Sequence, residues 1–435
     1  MTDDNEINTR LPDRGLNSWL NRILSIVLII VFVFSCATLG SKKKKSQTMN
    51  KNKYQQGTFG YDFQFLQNYI DPVILKDQSN NAMIIASSEW QGRVMTSTAS
   101  GNKGSSYGWI NYSLIEKKEI QDHINAFGGE DRLWLGPEGG QFSIYFREGS
   151  PFEFKYWQVP KEIDSEPFVL IEAKDHFARF EKEMELKNYS GFRFNLKINR
   201  DIRLLNKEDI ENEFGLELPE TLDFVAFESE NRMINTGTET WTKQTGMLSI
   251  WILGMFTPSP AVTIVIPYKK GDESEFGPVV NDAYFGSISS DRLMIDDGII
   301  FFKGDGQSRG KIGLSPQRVL PVAGSYDADH KTLTIIKFSV HEGVTDYVNS
   351  MWEIQDKPFK GDVLNSYNDG LLDDGSQMGP FYELESSSPA ANLKPGESLK
   401  HIHQTFHFQG DEEVLDEIAR KILNVSLEKI TKAFS

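Results

Sequence analysis

The chain has 435 residues, one cysteine and a net charge of −16, with 39% hydrophobic and 25% charged residues. Its first 57 residues carry a net charge of +5 and the remainder a net charge of −21; so acidic a body repels phosphate backbones, which argues against nucleic acid as a partner. One thiol excludes an internal disulfide framework and any multi-cysteine metal centre, and the 29 Phe, 14 Tyr and 8 Trp favour strands and a stacking surface over a helical bundle.

The first element is an address. Ile23–Phe34 is apolar apart from Ser25 and follows Arg10, Arg14 and Arg22, the layout of a secretory signal. It is short for a membrane-spanning helix, which needs about 20 residues. Its end, Val33-Phe34-Ser35-Cys36, resembles the lipobox of bacterial lipoproteins, which implies a lipid on Cys36. The alternative is an uncleaved anchor whose apolar run extends to Leu39, flanked by Lys42–Lys45. Either reading tethers the protein to a membrane in the cell envelope, facing the periplasm or exterior. Residues 37–57 are polar, lysine-rich and aperiodic, which predicts a flexible linker.

From residue 58 to 410 the pattern predicts one large β domain. Runs rich in β-branched and aromatic residues recur at 82–86, 142–146, 152–157, 168–173, 192–198, 222–227, 248–253, 262–266, 299–302, 332–338, 382–386 and 402–408. Several alternate cleanly, and Gly, Asn and Asp turns separate them. Helical signals are confined to Asp62–Tyr69 and to Glu412–Phe434, where Leu415, Ile418, Ile422 and Val425 form one stripe. Many strands with no helices between them predict an all-β antiparallel sandwich closed by a C-terminal amphipathic helix over residues 411–435.

Four constellations could carry chemistry. The densest runs from His123 to Gln141 and holds Asn125, Glu130, Arg132, Trp134 and Glu138 among five glycines. Trp134 offers a face for a sugar ring, and the polar groups offer hydroxyl-directed hydrogen bonds. Glu383 and Glu385 would share one face of a strand, about 7 Å apart, suited to a base and a hydroxyl binder. His401, His403 and His407 also share a parity; without carboxylates at matching spacing they predict a polar strand face, not a metal site. Arg309 and Lys311, in a glycine-rich stretch, could wall a cleft or sit in a hairpin.

The order of these motifs resembles the galactose mutarotase-like superfamily, the relatives of aldose 1-epimerase. The elements are Gln91-Gly92-Arg93, the Gly128–Glu138 stretch, Glu230–Gly237, and Glu383-Leu384-Glu385 ahead of Leu393–Glu397. The likeness spans most of residues 73–408, and the chain looks like part of an uncharacterised lipoprotein family within that superfamily. It implies a large β-supersandwich, a carbohydrate partner and no cofactor. It also implies a glutamate base at Glu383 or Glu385 and a sugar-facing arginine at Arg93. The mid-chain acid histidine of the epimerases has no counterpart in Asn195–Arg203, which leaves His123 as the early substitute. The expectation is a carbohydrate-binding protein, epimerase-like with His123, Glu383 and Glu385 as acid/base groups; the alternative is a non-catalytic glycan-binding or scaffold lipoprotein of the cell envelope. Its binding residues would be Arg93, Asn125, Glu130, Arg132, Trp134, Glu138 and Lys311.

Overall fold

A computed structural model describes residues 52–372 and 374–435; the signal segment, Cys36 and nearly all of the linker lie outside the described residues. Asn52–Ser435 is one compact unit. Its strands are β1 (Val73–Lys76), β2 (Met83–Ser87), β3 (Arg93–Thr98), β4 (Arg132–Gly136), β5 (Val169–Lys174), β6 (Phe177–Lys187), β7 (Arg193–Leu204), β8 (Asp223–Asn235) and β9 (Ser249–Phe256). The second half adds β10 (Val262–Pro267), β11 (Leu293–Asp296), β12 (Ile299–Lys303), β13 (Gly310–Leu314), β14 (Val322–Asp327), β15 (Thr332–Phe338), β16 (Leu364–Asn368), β17 (Tyr382–Ser387) and β18 (Ser398–Gln409).

They form three antiparallel sheets. β1-β2-β3 is small; the ten-stranded sheet runs β11-β12-β10-β14-β15-β18-β8-β7-β6-β5; the five-stranded sheet runs β13-β16-β17-β9-β4. The fold is an all-β sandwich. The long strands β7, β8 and β18 bury alternate residues, as a half-covered sheet requires. Between the two large sheets, Leu133, Ile250 and Ile252 of one meet Phe194, Ile198 and Phe227 of the other. Further along, Ile312, Leu364 and Leu384 meet Ile264, Phe302 and Ile336.

The C-terminal amphipathic stretch forms two helices where the sequence pattern suggested one. Glu412–Leu423 ends at Asn424, which takes a left-handed φ of 57°. Ser426 then caps Leu427–Thr431 by accepting from the Lys429 amide. Both pack on the outer face of the ten-stranded sheet through Leu415, Ile418, Leu423 and Ile430, against Val265, Phe301 and Phe406. Two aromatic runs expected as strands, 142–146 and 152–157, are irregular. Gly139, Gly140, Gly149 and Pro151 interrupt any period of two; Tyr145, Phe146 and Trp157 are buried while Phe154 and Tyr156 stay exposed. No described helix is long and apolar enough to cross a membrane.

The histidine face of β18 is not a solvated polar face. His401, His403 and His407 are fully buried between the large sheets. Ser386 Oγ bridges His401 Nε2 and His403 Nδ1, each at 2.8 Å. Burial pushes their pKa values down to about 3 and about 4, so both stay neutral and act as hydrogen-bonding spacers. Among the described residues no group of His, Cys, Asp and Glu is arranged to hold a metal ion.

The first helix, Phe59–Leu66, begins close to the position expected from Asp62–Tyr69. It is pinned by Asp62, whose buried carboxylate accepts from the hydroxyls of Ser106 and Tyr112. Burial raises the Asp62 pKa from 3.8 to about 6, against the two hydrogen bonds. A raised carboxyl pKa means the neutral form fits the fold better. The contribution is therefore complete below about 4 and is lost as pH rises through about 6. Urea midpoints of wild type and Asp62→Asn should then diverge in the variant's favour between pH 4 and pH 7. A constant gap across that window would contradict the assignment.

Candidate functional site

The alternation of β17 divides its side chains. Tyr382, Leu384 and Ser386 point toward the ten-stranded sheet, and Ser386 meets the histidines there. Glu383 and Glu385 point the other way, to the outer face of the five-stranded sheet. Register carries that face across the neighbours: Glu383 lies opposite Met255 and Tyr367, Glu385 opposite Leu253 and Asn365, and Trp134 opposite Trp251. Lys311 lies opposite Tyr367.

Two ion pairs cross this face, each reaching over an intervening strand. Arg132 of β4 spans β9 to donate from Nη2 to Glu383 Oε1 at 3.0 Å. Lys311 of β13 spans β16 to donate from Nζ to Glu385 Oε2 at 3.0 Å. Strands lie about 4.8 Å apart, so only long side chains such as Arg and Lys make such bridges. Trp251 Nε1 donates to the same Glu385 oxygen at 2.8 Å. The indole rings also cushion the cations: the Arg132 guanidinium sits 4.3 Å from the Trp134 ring and Lys311 Nζ sits 4.7 Å from the Trp251 ring. All four charged residues are buried.

The electrostatics follow from that burial. Glu383 is raised by burial, with Arg132 opposing and the charge of Glu385 adding. Burial pulls Lys311 down, but Glu385 and Glu138 more than offset it, so its pKa is raised. Glu138 stands close enough to feel both Lys311 and Glu385, beside the indoles of Trp157 and Trp352, and burial raises it too. The face thus holds a lysine kept in its charged form and two carboxyl groups, Glu138 and Glu383, that burial pushes toward their protonated forms.

Several buried polar atoms on this face have no partner within the protein: Glu385 Oε1, Arg132 Nε and Nη1, and Trp134 Nε1. A native fold leaves few such atoms, and a carboxylate oxygen, two guanidinium nitrogens and an indole N–H clustered on one face form a mixed acceptor and donor set. Aromatic rings wall it. Trp157 stands 6.4 Å from Trp134, stacks on Tyr145 at 6.0 Å and on Trp352 at 5.8 Å. A crevice of about 10 Å³, room for about one water, is bounded by Trp251, Tyr284, Lys311 and Asn365 beside the lysine pair.

Of the residues expected at a site, Glu383, Glu385, Arg132, Trp134, Lys311 and Glu138 gather here. The others do not. Glu130 turns into the layer between the sheets, where Ser97 Oγ and His407 Nε2 meet its Oε2 at 2.8 Å each. Asn125 is structural: its side chain donates to Asp164 at 2.6 Å and to the Gln121 carbonyl. His123 places Nδ1 2.6 Å from the Trp157 carbonyl and stacks on Phe154, away from both carboxylates. Arg93 is buried behind the site, donating to the Gly128 carbonyl and to Gln91, and burial with the nearby charge of Arg132 lowers its pKa. Trp251, Trp157, Trp352 and Tyr284 escaped the sequence reading. Trp251 lies in an ordinary apolar strand pattern, and the other three lie in loops whose partners are distant in sequence.

Comparison with solved structures gives similarity to Slr1438 from Synechocystis sp. PCC 6803, at 14% identity over 79% of this chain and 98% of that one, with a TM-score of 0.47. A galactose mutarotase-like protein from Lactobacillus casei ATCC 334 is 9% identical over 78% and 100%, with a TM-score of 0.43. A galactose mutarotase related enzyme from Lactobacillus acidophilus is 9% identical over 78% and 98%, also at 0.43. No curated protein matches it by sequence. Residues 57–434 match a family model whose description is that of a family of unknown function, and the chain belongs to that family, DUF6786.

Proposed function

We propose that this protein binds carbohydrate on the outer face of its five-stranded sheet. The observation that carries the reading is the cluster of unpartnered polar atoms on Glu385, Arg132 and Trp134 within an aromatic wall. Sugars present both hydroxyl donors and acceptors on one edge and a C–H face on the other, and this surface offers a complement to each. The sequence resemblance to galactose mutarotase-like proteins points the same way. Calorimetry against a panel of neutral and acidic oligosaccharides should find at least one binder, with a change in tryptophan fluorescence as the indoles meet it. Wild-type protein that binds no member of the panel would overturn the reading.

A second reading is an acid/base activity on the bound sugar. It is favoured by Glu383, which burial raises to about 8 even against its partner Arg132, with Glu138 raised in the same direction beside Lys311 and Glu385. A carboxylic acid that keeps its proton near neutral pH can protonate a ring or bridging oxygen. It would then fill the role for which His123 is badly placed. Polarimetry on an anomerically pure form of the bound sugar distinguishes the two, since only a catalyst speeds its relaxation.

We further propose that the body is tethered to a membrane in the cell envelope through residues 1–36, with a lipid on Cys36. The apolar run, the preceding arginines and Val33–Cys36 support this. Metabolic labelling with an alkyne fatty acid should mark the wild type and not Cys36→Ser; equal labelling would remove Cys36 as the attachment site.

A further inference from the structure

The loops that close over the outer face carry large apolar side chains into solvent. Phe154, Phe285, Ile354, Leu371, Leu372 and Met378 are each between 39% and 65% exposed. Each lies close along the chain or in space to the buried face. Phe154 stacks on Trp157 at 5.9 Å, and Ile354 follows Trp352, the other partner of Trp157. Phe285 stands 5.9 Å from Tyr367, which shares the face with Glu383. Leu371, Leu372 and Met378 belong to the loop from β16 to β17. Asp369 fixes that loop by accepting from the Tyr367 hydroxyl at 2.8 Å and from the Gly379 amide at 3.0 Å. Apolar side chains concentrated around a polar site mark an interaction surface. Val169, Leu170 and Ile171 on edge strand β5 are exposed too, as are Ile120, Ile295 and Val344.

Two observations name the occupant. Gln56 and Gly57, among the first described residues, line a cavity of about 380 Å³ together with Trp109. The Trp109 indole packs so closely on Gly379 that a Cβ there would fall 2.0 Å from the ring, so the chain enters the body beside the loop of Leu371 and Met378. Upstream, nineteen residues, 37–55, separate this point from Cys36. A stretch of that length reaches at most about 70 Å, which keeps the body close to any membrane that residues 1–36 hold. The net −21 of the body disfavours an anionic surface, leaving apolar insertion into a zwitterionic one as the matching contact.

We propose that these loops form a bilayer-docking rim, so that the buried polar face opens onto a lipid surface and receives the sugar head of a lipid-linked saccharide. The proposal rests on the tethered, carbohydrate-binding reading above and narrows its substrate class. With one native cysteine, Cys36→Ser combined with Leu372→Cys gives a single thiol for an environment-sensitive fluorophore in the full-length chain, its apolar run retained. In phosphatidylcholine vesicles the label at 372 should shift its emission to the blue and be quenched by lipids bearing an acyl-chain nitroxide. A label on Glu217→Cys, beside the C-terminal helices, should emit as in water. Adding Leu371→Ser and Met378→Ser should return the label at 372 to water-like emission while soluble oligosaccharides bind as before. A label at 372 that is unquenched and water-exposed overturns the rim, whatever the calorimetry gives. Strong quenching in a protein that binds no glycan leaves the rim standing and overturns the sugar it was meant to serve.

Discussion

Replacing Arg200 with methionine should cost about 3–5 kcal/mol of stability, the usual penalty for removing one partner of a fully buried ion pair. Arg200 is wholly buried and joins three sheets at one point. Its Nε donates to the Gly92 carbonyl at the start of β3, at 3.0 Å. Its Nη2 donates to the backbone carbonyl and the carboxylate of Asp131, at the entrance to β4. Its Nη1 donates to Asn231 Oδ1 of β8 at 2.6 Å. Methionine fills much of the same volume, so the loss is one of polar partners: it strands the Asp131 carboxylate and two carbonyls away from water. Because Asp131 is next to Arg132, the substitution should also loosen the outer face. Equilibrium unfolding in urea measures the first effect. A difference below about 1 kcal/mol would mean that water or neighbouring groups replace those bonds.

The two glutamates of β17 could be assigned to a common face from the sequence because a strand has a period of two, and a Tyr-Glu-Leu-Glu-Ser pattern admits no other division. Nearness in sequence groups Glu130 with Arg132 and Trp134, but it precedes β4, and its carboxylate meets Ser97 and His407 between the sheets. Nearness in sequence groups His123 with the site too, yet its Nδ1 is held at the Trp157 carbonyl. The shared face of His401, His403 and His407 was readable; that another sheet covers it was not, because its partner Ser386 comes from a different strand pairing. The ion pairs were beyond reach for the same reason. Arg132 and Glu383 are 251 positions apart, and only the order β4-β9-β17 brings them within a side chain's length. Strands β1, β3, β4, β6, β11, β13, β14 and β16 fall outside the predicted runs; in β13 and β16, Gly310, Gly313, Asn365 and Asn368 have low β-propensity, which burial and ladder bonds override.

The Lys311–Glu385 pair separates a structural role from a binding role, and the separation can be measured. Lys311→Met alone leaves Glu385 buried with only the Trp251 indole as donor, and should cost about 3–5 kcal/mol. Adding Glu385→Gln to that variant removes the stranded charge and should recover most of the loss, since a neutral amide needs no counter-ion. If the pair were only a strut, ligand binding would return with stability. The proposal requires the opposite. Glu385 Oε1 is the acceptor left open on this face, and replacing it with an amide removes a charged hydrogen bond of about 1.5–3 kcal/mol, or roughly a 10- to 150-fold loss in affinity. Glu385→Gln and the double variant should therefore both bind the ligand weakly, although the double variant unfolds close to the wild-type urea midpoint. A double variant that is stable and binds at wild-type affinity would move the carbohydrate site away from this face.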